Sequence, residues 1–247
     1  MLGLPDGTRA CLFDLDGVLT RTAVVHAAAW KSMFDAYLLD RSRRTGEPFV
    51  PFDAGRDYDA YVDGKPRADG VRDFLASRGI TLPGGSAGDP PTAETVAGLG
   101  ARKNARVLKL IHERGVEPYP GSVRYVHAVR DAGLRTAVVS SSTNCRDVLV
   151  SAGMADLFDE RIDGVLAERR GLRGKPAPDT FLEGARAVGV EPSRAVVFED
   201  ALAGVEAGNA GRFGLVVGVD RVGQAQALAA HGADVVVRDL AELLDAA

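Results

Sequence analysis

Five short runs of consecutive apolar, largely β-branched residues punctuate the chain: Ala10-Cys11-Leu12-Phe13, Thr136-Ala137-Val138-Val139, Ala195-Val196-Val197-Phe198, Gly214-Leu215-Val216-Val217-Gly218-Val219 and Asp234-Val235-Val236-Val237. Apolar residues on adjacent rather than alternate positions are the pattern of a strand buried on both faces. Helical spacing fills the intervals 121–132, 145–152, 178–188 and 201–210. Buried strand followed by helix, repeated, predicts right-handed crossovers and an α/β fold built on a doubly wound parallel sheet.

The first run and the second are separated by residues 14–135, far more than a crossover helix needs. Within that interval Val25, His26, Ala29, Trp30, Met33, Phe34, Tyr37 and Leu38 recur at helical spacing, and strand signal is weak. Breaks at Glu47-Pro48 and at 82–91 divide it into pieces. The expected organisation is a core made of residues 1–21 and 115–247 and an inserted α-helical cap domain at 22–114, hung on linkers near 20–23 and 114–119.

Composition narrows the function classes. With 247 residues, 46% hydrophobic and 26% charged, the chain is ordinary for a globular protein, which excludes disorder, collagen and coiled coil. A formal charge of -4 argues against an electrostatic nucleic-acid partner, and Arg41-Arg43-Arg44 and Arg169-Arg170-Arg173 read as solvated helix ends or loops. No apolar run reaches the roughly 18 residues of a membrane span. The start, Met1-Leu2-Gly3-Leu4-Pro5-Asp6, does not read as a signal peptide, and the two cysteines form no C-x-x-C, so a cytoplasmic protein with reduced thiols and no membrane partner is expected.

Chemistry concentrates where the strands end. Phe13-Asp14-Leu15-Asp16-Gly17 closes the first strand with two acids, which need a cation or a shared proton if they face a ligand, or solvent if they merely turn the chain. Ser140-Ser141-Ser142-Thr143-Asn144 follows the second strand and opens a helix, either as an ordinary cap or as an anion site. Lys175-Pro176 precedes another helix, and Phe198-Glu199-Asp200 ends the third run with two further acids. Ligands of open parallel sheets bind beyond the carboxyl ends of the strands, so the coincidence of these features favours catalysis over four unrelated turns. His112, His127 and His231 have no metal spacing around them, and neither a P-loop nor G-x-G-x-x-G is present.

The order Asp14-x-Asp16-Gly17-Val18, Ser140, Lys175-Pro176, Glu199-Asp200 resembles the four motifs of the haloacid dehalogenase superfamily of phosphotransferases, over nearly the whole chain. The nearest resemblance is to its β-phosphoglucomutase group with a helical cap, carried further by Thr22, His26 and Ala29-Trp30-Lys31, by Gly64-Lys65-Pro66-Arg67, by Arg102-Lys103-Asn104, by Tyr119-Pro120-Gly121 and by Lys175-Pro176-Ala177-Pro178-Asp179. The resemblance implies Asp14 as nucleophile, forming an aspartyl-phosphate, and Asp16 as general acid and base. It implies Mg²⁺ held by Asp14, the Asp16 backbone carbonyl and Asp200, with Glu199 as ligand or supporting neighbour. Ser140 and Lys175 would hold the transferring phosphoryl group. Arg67, with Ser142 and Asn144, would grip a second phosphate; Lys65, His26 and Lys103 match positions that contact the sugar or position the acid/base, and Thr22 and Ser141 stand with them as candidate substrate contacts. Trp30 is included among these contacts, although its helix face, shared with His26, Phe34 and Tyr37, equally suits cap packing.

Two positions depart from the group. Arg21 stands beside the expected hinge where an acidic residue is usual, and Pro66 where a small hydroxyl residue is common. The expected activity is Mg²⁺-dependent phosphotransfer on a small sugar phosphate, interconverting β-glucose 1-phosphate and glucose 6-phosphate, by a monomer or weak dimer. The alternative is a phosphatase of the same superfamily acting on small phosphate monoesters. A receiver-type signalling module also uses a strand-end Asp with Ser/Thr and Lys partners, but it is a single small domain and accommodates no insertion of this length.

Overall fold

The computed structural model describes residues 2–245, so positions 1, 246 and 247, assigned above to the core, lie outside the described residues. In chain order the elements are β1 (Ala10–Phe13), α1 (Ala23–Thr45), α2 (Arg56–Tyr61), α3 (Arg67–Ser77), α4 (Val96–Arg114), α5 (Pro120–Asp131), β2 (Arg135–Val139), α6 (Cys145–Ser151), β3 (Glu160–Ile162), α7 (Gly164–Arg170) and α8 (Asp179–Ala187). A 3₁₀ turn at Pro192–Arg194 then leads into β4 (Ala195–Glu199), α9 (Leu202–Ala210), β5 (Leu215–Val219), α10 (Ala225–Ala230), β6 (Val235–Val237) and α11 (Glu242–Asp245).

The strands form one parallel sheet in the order β3-β2-β1-β4-β5-β6. Its centre is β1, with Ala10 opposite Arg135 on one side and Ala195 on the other, and every β1 side chain is buried. This is the doubly wound α/β architecture that the apolar runs demand. β3 has no counterpart among those runs, because it is a short edge strand whose first two residues, Glu160 and Arg161, are exposed. An edge that needs no apolar face leaves no hydrophobic signature.

The described residues divide into two compact units, the first running to Thr22, adding Gly64–Pro66 and resuming at Val116, the second comprising Ala23–Asp63 and Arg67–Gly115. The first is cored by the sheet and the helices on it, with Leu12, Val139, Phe181, Val197 and Val205 fully enclosed. Where its chain leaves and returns, Thr20 and Pro118 form an antiparallel bridge, Arg21 N donates to the Glu117 carbonyl at 2.9 Å and Tyr119 N to the Leu19 carbonyl at 2.9 Å. The second unit is helical, and no strand lies in it among the described residues. Trp30, Met33, Phe34, Tyr37 and Leu38 form the buried stripe of α1 and meet Phe52, Val71 and Phe74. Phe34 stacks on Trp30 and Phe52, each with centroids 5.2 Å apart, and tilts against Phe74 at 4.2 Å.

Because the chain has one tryptophan, Trp30, and it belongs to the second unit, its fluorescence reports that unit's unfolding. Phe34→Ala removes the ring at the middle of this cluster and should destabilise the unit by about 3–5 kcal/mol. Urea titration followed by tryptophan emission is expected to show the midpoint moving down, and an unchanged midpoint would mean the cluster contributes little.

Candidate active site

β1, β2 and β4 are adjacent and parallel, so their carboxyl ends open on one edge of the sheet. Asp14 lies one residue past β1, its N–H donating to the Phe198 carbonyl at 2.9 Å. Lys175, from the loop before α8, spans all three strand ends. Its Nζ lies 2.5 Å from Asp14 Oδ1, 2.7 Å from Glu199 Oε2 and 3.3 Å from the Val139 carbonyl, with the Phe181 ring centroid 4.8 Å away. The ammonium and both carboxylates are essentially removed from water. Burial pushes the Asp14 carboxyl above the ordinary range, Lys175 pulls it back and Asp16 adds to the rise. Glu199 is raised by burial first and then by the Asp14 charge, again opposed by Lys175. Burial works against the Lys175 charge, but the two carboxylates outweigh it and hold the ammonium protonated.

Asp200 completes the acidic group: single carboxylate oxygens of Asp14, Glu199 and Asp200 lie within 4.8 Å of one another, and all three residues are buried. Three ionised carboxylates against one ammonium would leave two negative charges enclosed, which one divalent cation would balance. The donors are all hard oxygens, the type a Mg²⁺-sized ion prefers. The Asp16 side chain is not among these three. Gly17 adopts φ +90°, and a Cβ there would fall 1.7 Å from Asp200 Oδ2, so the glycine brings the two acidic loops into contact. On α9, a Cβ at Gly204 would lie 2.0 Å from Glu199 Cδ.

The Asp16 carboxylate accepts a very short hydrogen bond from Thr22 Oγ1. Since Thr22 donates to Asp16, the 2.7 Å contact between the two threonine hydroxyls takes its proton from Thr20, which shares it with the Leu15 carbonyl at 3.2 Å. Thr22, expected as a substrate contact, is therefore buried and committed to orienting Asp16. After β2, Ser140 is buried and its Oγ accepts from Ser142 N at 3.1 Å, while Ser142 Oγ accepts from Asn144 N at 3.1 Å, a ladder of hydroxyl turns leading into α6. Ser141 Oγ donates to the Gly64 carbonyl at 2.7 Å. That bond fixes the Gly64–Pro66 segment, which carries Lys65, within the first unit.

The second unit gathers the remaining candidates. Lys103 Nζ donates to His26 Nδ1 at 3.0 Å and lies 4.8 Å from the centroid of the Trp30 ring, while the Arg67 stem runs so close to Gly100 that a Cβ there would lie 3.5 Å from its Cδ. Enclosure of the imidazole, then the Lys103 and Arg67 charges, hold the His26 pKa well below its ordinary value, so the ring is neutral at pH 7. Trp30 is 2% exposed and stacked on Phe34. It packs the unit and backs Lys103.

Both departures from the group have local partners. Arg21 Nε pairs with Glu117 Oε1 at 3.1 Å and its guanidinium lies 4.6 Å from the Tyr119 ring centroid, so it clasps the two linkers. Pro66 rests against Gly174, where a Cβ would meet its Cγ at 1.9 Å. Sequence reasoning missed Gly204, Arg221 and Gln224. The small residues Ala203, Gly204, Ala207 and Gly208 along α9 signal close approach and could have exposed the first; the other two carry no local signal.

A doubly wound sheet whose central strand ends in an acid clamped by a lysine, with a helical insertion after that strand, defines an α/β enzyme of the haloacid dehalogenase type. The chain belongs to the haloacid dehalogenase-like hydrolase family, whose model matches residues 8–212. It is 59% identical to a β-phosphoglucomutase of Mycobacterium bovis, over 99% of this chain and 94% of that protein. It is 31% identical to a validoxylamine A 7'-phosphate phosphatase of Streptomyces hygroscopicus, over 95% of each. Among solved structures, β-phosphoglucomutase from Clostridium difficile matches with TM-score 0.73 and 25% identity, over 96% of this chain and 93% of that one.

Lys175→Met should strand two buried carboxylates and cost about 3–5 kcal/mol at pH 8 without divalent cations. Carboxyls whose folded pKa is raised bind protons more tightly folded than unfolded, so the stability they permit is fully present at low pH and lost as pH rises through the folded value. The deficit in melting stability against the parent should therefore shrink from pH 8 to pH 5. An equal deficit at both would show that Lys175 is not their counter-charge.

Proposed function

We propose that the protein is a β-phosphoglucomutase, interconverting β-glucose 1-phosphate and glucose 6-phosphate through an aspartyl-phosphate on Asp14. The observation that carries this reading is the 59% identity over 99% of the chain to the mycobacterial β-phosphoglucomutase. An Asp14 oxygen attacks phosphorus, the bond from phosphorus to the sugar oxygen breaks, and Asp16 gives that oxygen a proton. In the return step a sugar hydroxyl attacks the same phosphorus, Asp16 takes its proton, and the Asp14 carboxylate leaves. Thr22 fixes the rotation of the Asp16 carboxyl for both transfers. Ser140 and Lys175 hold the transferring group; Arg67, Ser142 and Asn144 hold the distal phosphate; Lys65, His26 and Lys103 contact the sugar.

Asp14, Asp200 and the Asp16 backbone carbonyl would hold Mg²⁺, with Glu199 anchoring Lys175 beside them. When bound, the ion neutralises charge on the phosphoryl oxygens. The enzyme works in the cytoplasm as a monomer or weak dimer on a small sugar phosphate, without nucleic acid or membrane. Among the described residues no helix is long and apolar enough to cross a membrane, and Cys11 and Cys145 are buried and free. The similarity to the validoxylamine phosphate phosphatase favours one second reading, hydrolysis of a sugar-like phosphate.

Product analysis on β-glucose 1-phosphate, with Mg²⁺ and catalytic glucose 1,6-bisphosphate, separates the two. Glucose 6-phosphate should exceed released phosphate by well over tenfold; comparable rates would establish the phosphatase. Asp14→Asn should abolish turnover with the fold retained. Arg67→Ala should reduce kcat/KM on the sugar phosphate far more than on an aryl phosphate, which has no remote group for it to hold.

A further inference from the structure

The turn that follows β5 supplies nothing to the acid cluster, yet it reaches the backbones of both loops that do. Arg221 donates from Nε to the Gly17 carbonyl at 2.9 Å and from Nη2 to the Val18 carbonyl and Ser122 Oγ, each at 3.3 Å. Its Nη1 bonds the Arg238 carbonyl at 2.6 Å and Asp239 Oδ2 at 3.1 Å, and its guanidinium lies 3.7 Å from the Tyr119 ring centroid. Three residues on, Gln224 Nε2 donates to the Asp200 carbonyl at 2.9 Å. The turn is itself fixed, because Asp220 Oδ1 accepts from the N–H groups of Val222, Gly223 and Gln224 at 3.2, 2.6 and 2.8 Å.

One loop carries Asp14, Asp16 and Gly17, and the other carries Glu199 and Asp200; they touch where Gly17 meets Asp200. Like charges on the two loops push them apart, and a rigid donor set at a third place opposes that. We propose that the 220–224 turn is a positioning element, in which Arg221 and Gln224 hold the two acidic loops at the separation a divalent cation requires. The inference rests on reading the acid cluster as a cation site. The Arg221 guanidinium serves five acceptors through its fork, the Gly17, Val18 and Arg238 carbonyls, Ser122 Oγ and Asp239 Oδ2, more than the three N–H groups of a lysine ammonium can reach, so charge alone cannot substitute for Arg221.

The test is Mg²⁺ binding to the full chain by calorimetry, with no sugar phosphate present, alongside melting temperature in EDTA. Gln224→Met keeps length and loses the donor; Arg221→Lys keeps charge and loses the fork. Both should weaken Mg²⁺ binding about tenfold, as supporting hydrogen bonds around metal ligands do, with kcat recovered at saturating Mg²⁺. Val222→Ala, at an exposed side chain of the same turn, should change neither quantity. Wild-type Mg²⁺ affinity in Gln224→Met overturns the proposal, whatever Arg221→Lys does to folding. Absence of Mg²⁺ binding in the parent would overturn the cation reading as well, which distinguishes the two failures.

Discussion

The buried ammonium of Lys175 is the constraint around which the site is arranged. Parallel strands β1, β2 and β4 deliver Asp14, the Val139 carbonyl and Glu199 to one place, and without a cation there the low dielectric would not tolerate two carboxylates side by side. Lys175 resolves this locally while leaving Asp200 and one further negative charge uncompensated. The cluster is thus neutral enough to fold and negative enough to attract a dication. A buried ion pair is weak evidence for stability, since an apolar replacement often does as well. Its retention at the ends of the central strands is better explained by the chemistry it prepares.

Packing enforces that arrangement at close range. Gly204 lets α9 approach Glu199, Gly17 lets the first acidic loop approach Asp200, and Gly174 accommodates Pro66 beside Lys175. At each of these positions a methyl group would occupy space already filled by a functional side chain or its immediate support. The glycines therefore fix distances between charges, a role distinct from the conformational freedom that only Gly17, with its positive φ, also requires.

Much of this was legible in the sequence because it is local. Consecutive apolar residues marked β1, β2, β4, β5 and β6, and the acids and hydroxyls adjoined those runs, so one principle about strand ends gathered Asp14, Ser140, Glu199 and Asp200, while Lys175, in the loop before α8, was reached through the order of the motifs. What escaped notice is long-range or lacks an apolar face. β3 is polar and short. Arg221 acts on Gly17, 204 residues earlier, through a hydrogen bond that no periodicity encodes. Trp30 and Thr22 were located in the right segments but their partners were not, since a tryptophan or threonine on a helix or linker fits packing, orientation and substrate contact equally well until its neighbours are known. Gly64–Pro66 interrupts an otherwise continuous helical insertion, and only its contacts with Ser141, Ala201 and Gly174 associate it with the first unit.

The Asp16 carboxyl and the linkers form one hydrogen-bonded element. Asp16 is oriented by Thr22, Thr22 by Thr20, and Thr20 is bridged to Pro118 on the returning strand. Arg21 and Glu117 pair across the same ribbon, but with side chains 48% and 71% exposed that pair contributes little on its own. Tyr119 contributes more, because its ring has Arg21 at 4.6 Å and the largely buried Arg221 at 3.7 Å, and Arg221 in turn holds Gly17 and Val18. The linkers are thereby connected to the Asp16 carboxyl through Thr22 and to the loop after β1 through Tyr119 and Arg221. Asp14, by contrast, is anchored to β4 and Lys175, outside that ribbon. On the proposed mechanism, Asp14 as nucleophile is fixed by the sheet while Asp16 as acid and base is oriented from the linkers, the division of labour required if proton transfer is to be gated while the nucleophile stays in place.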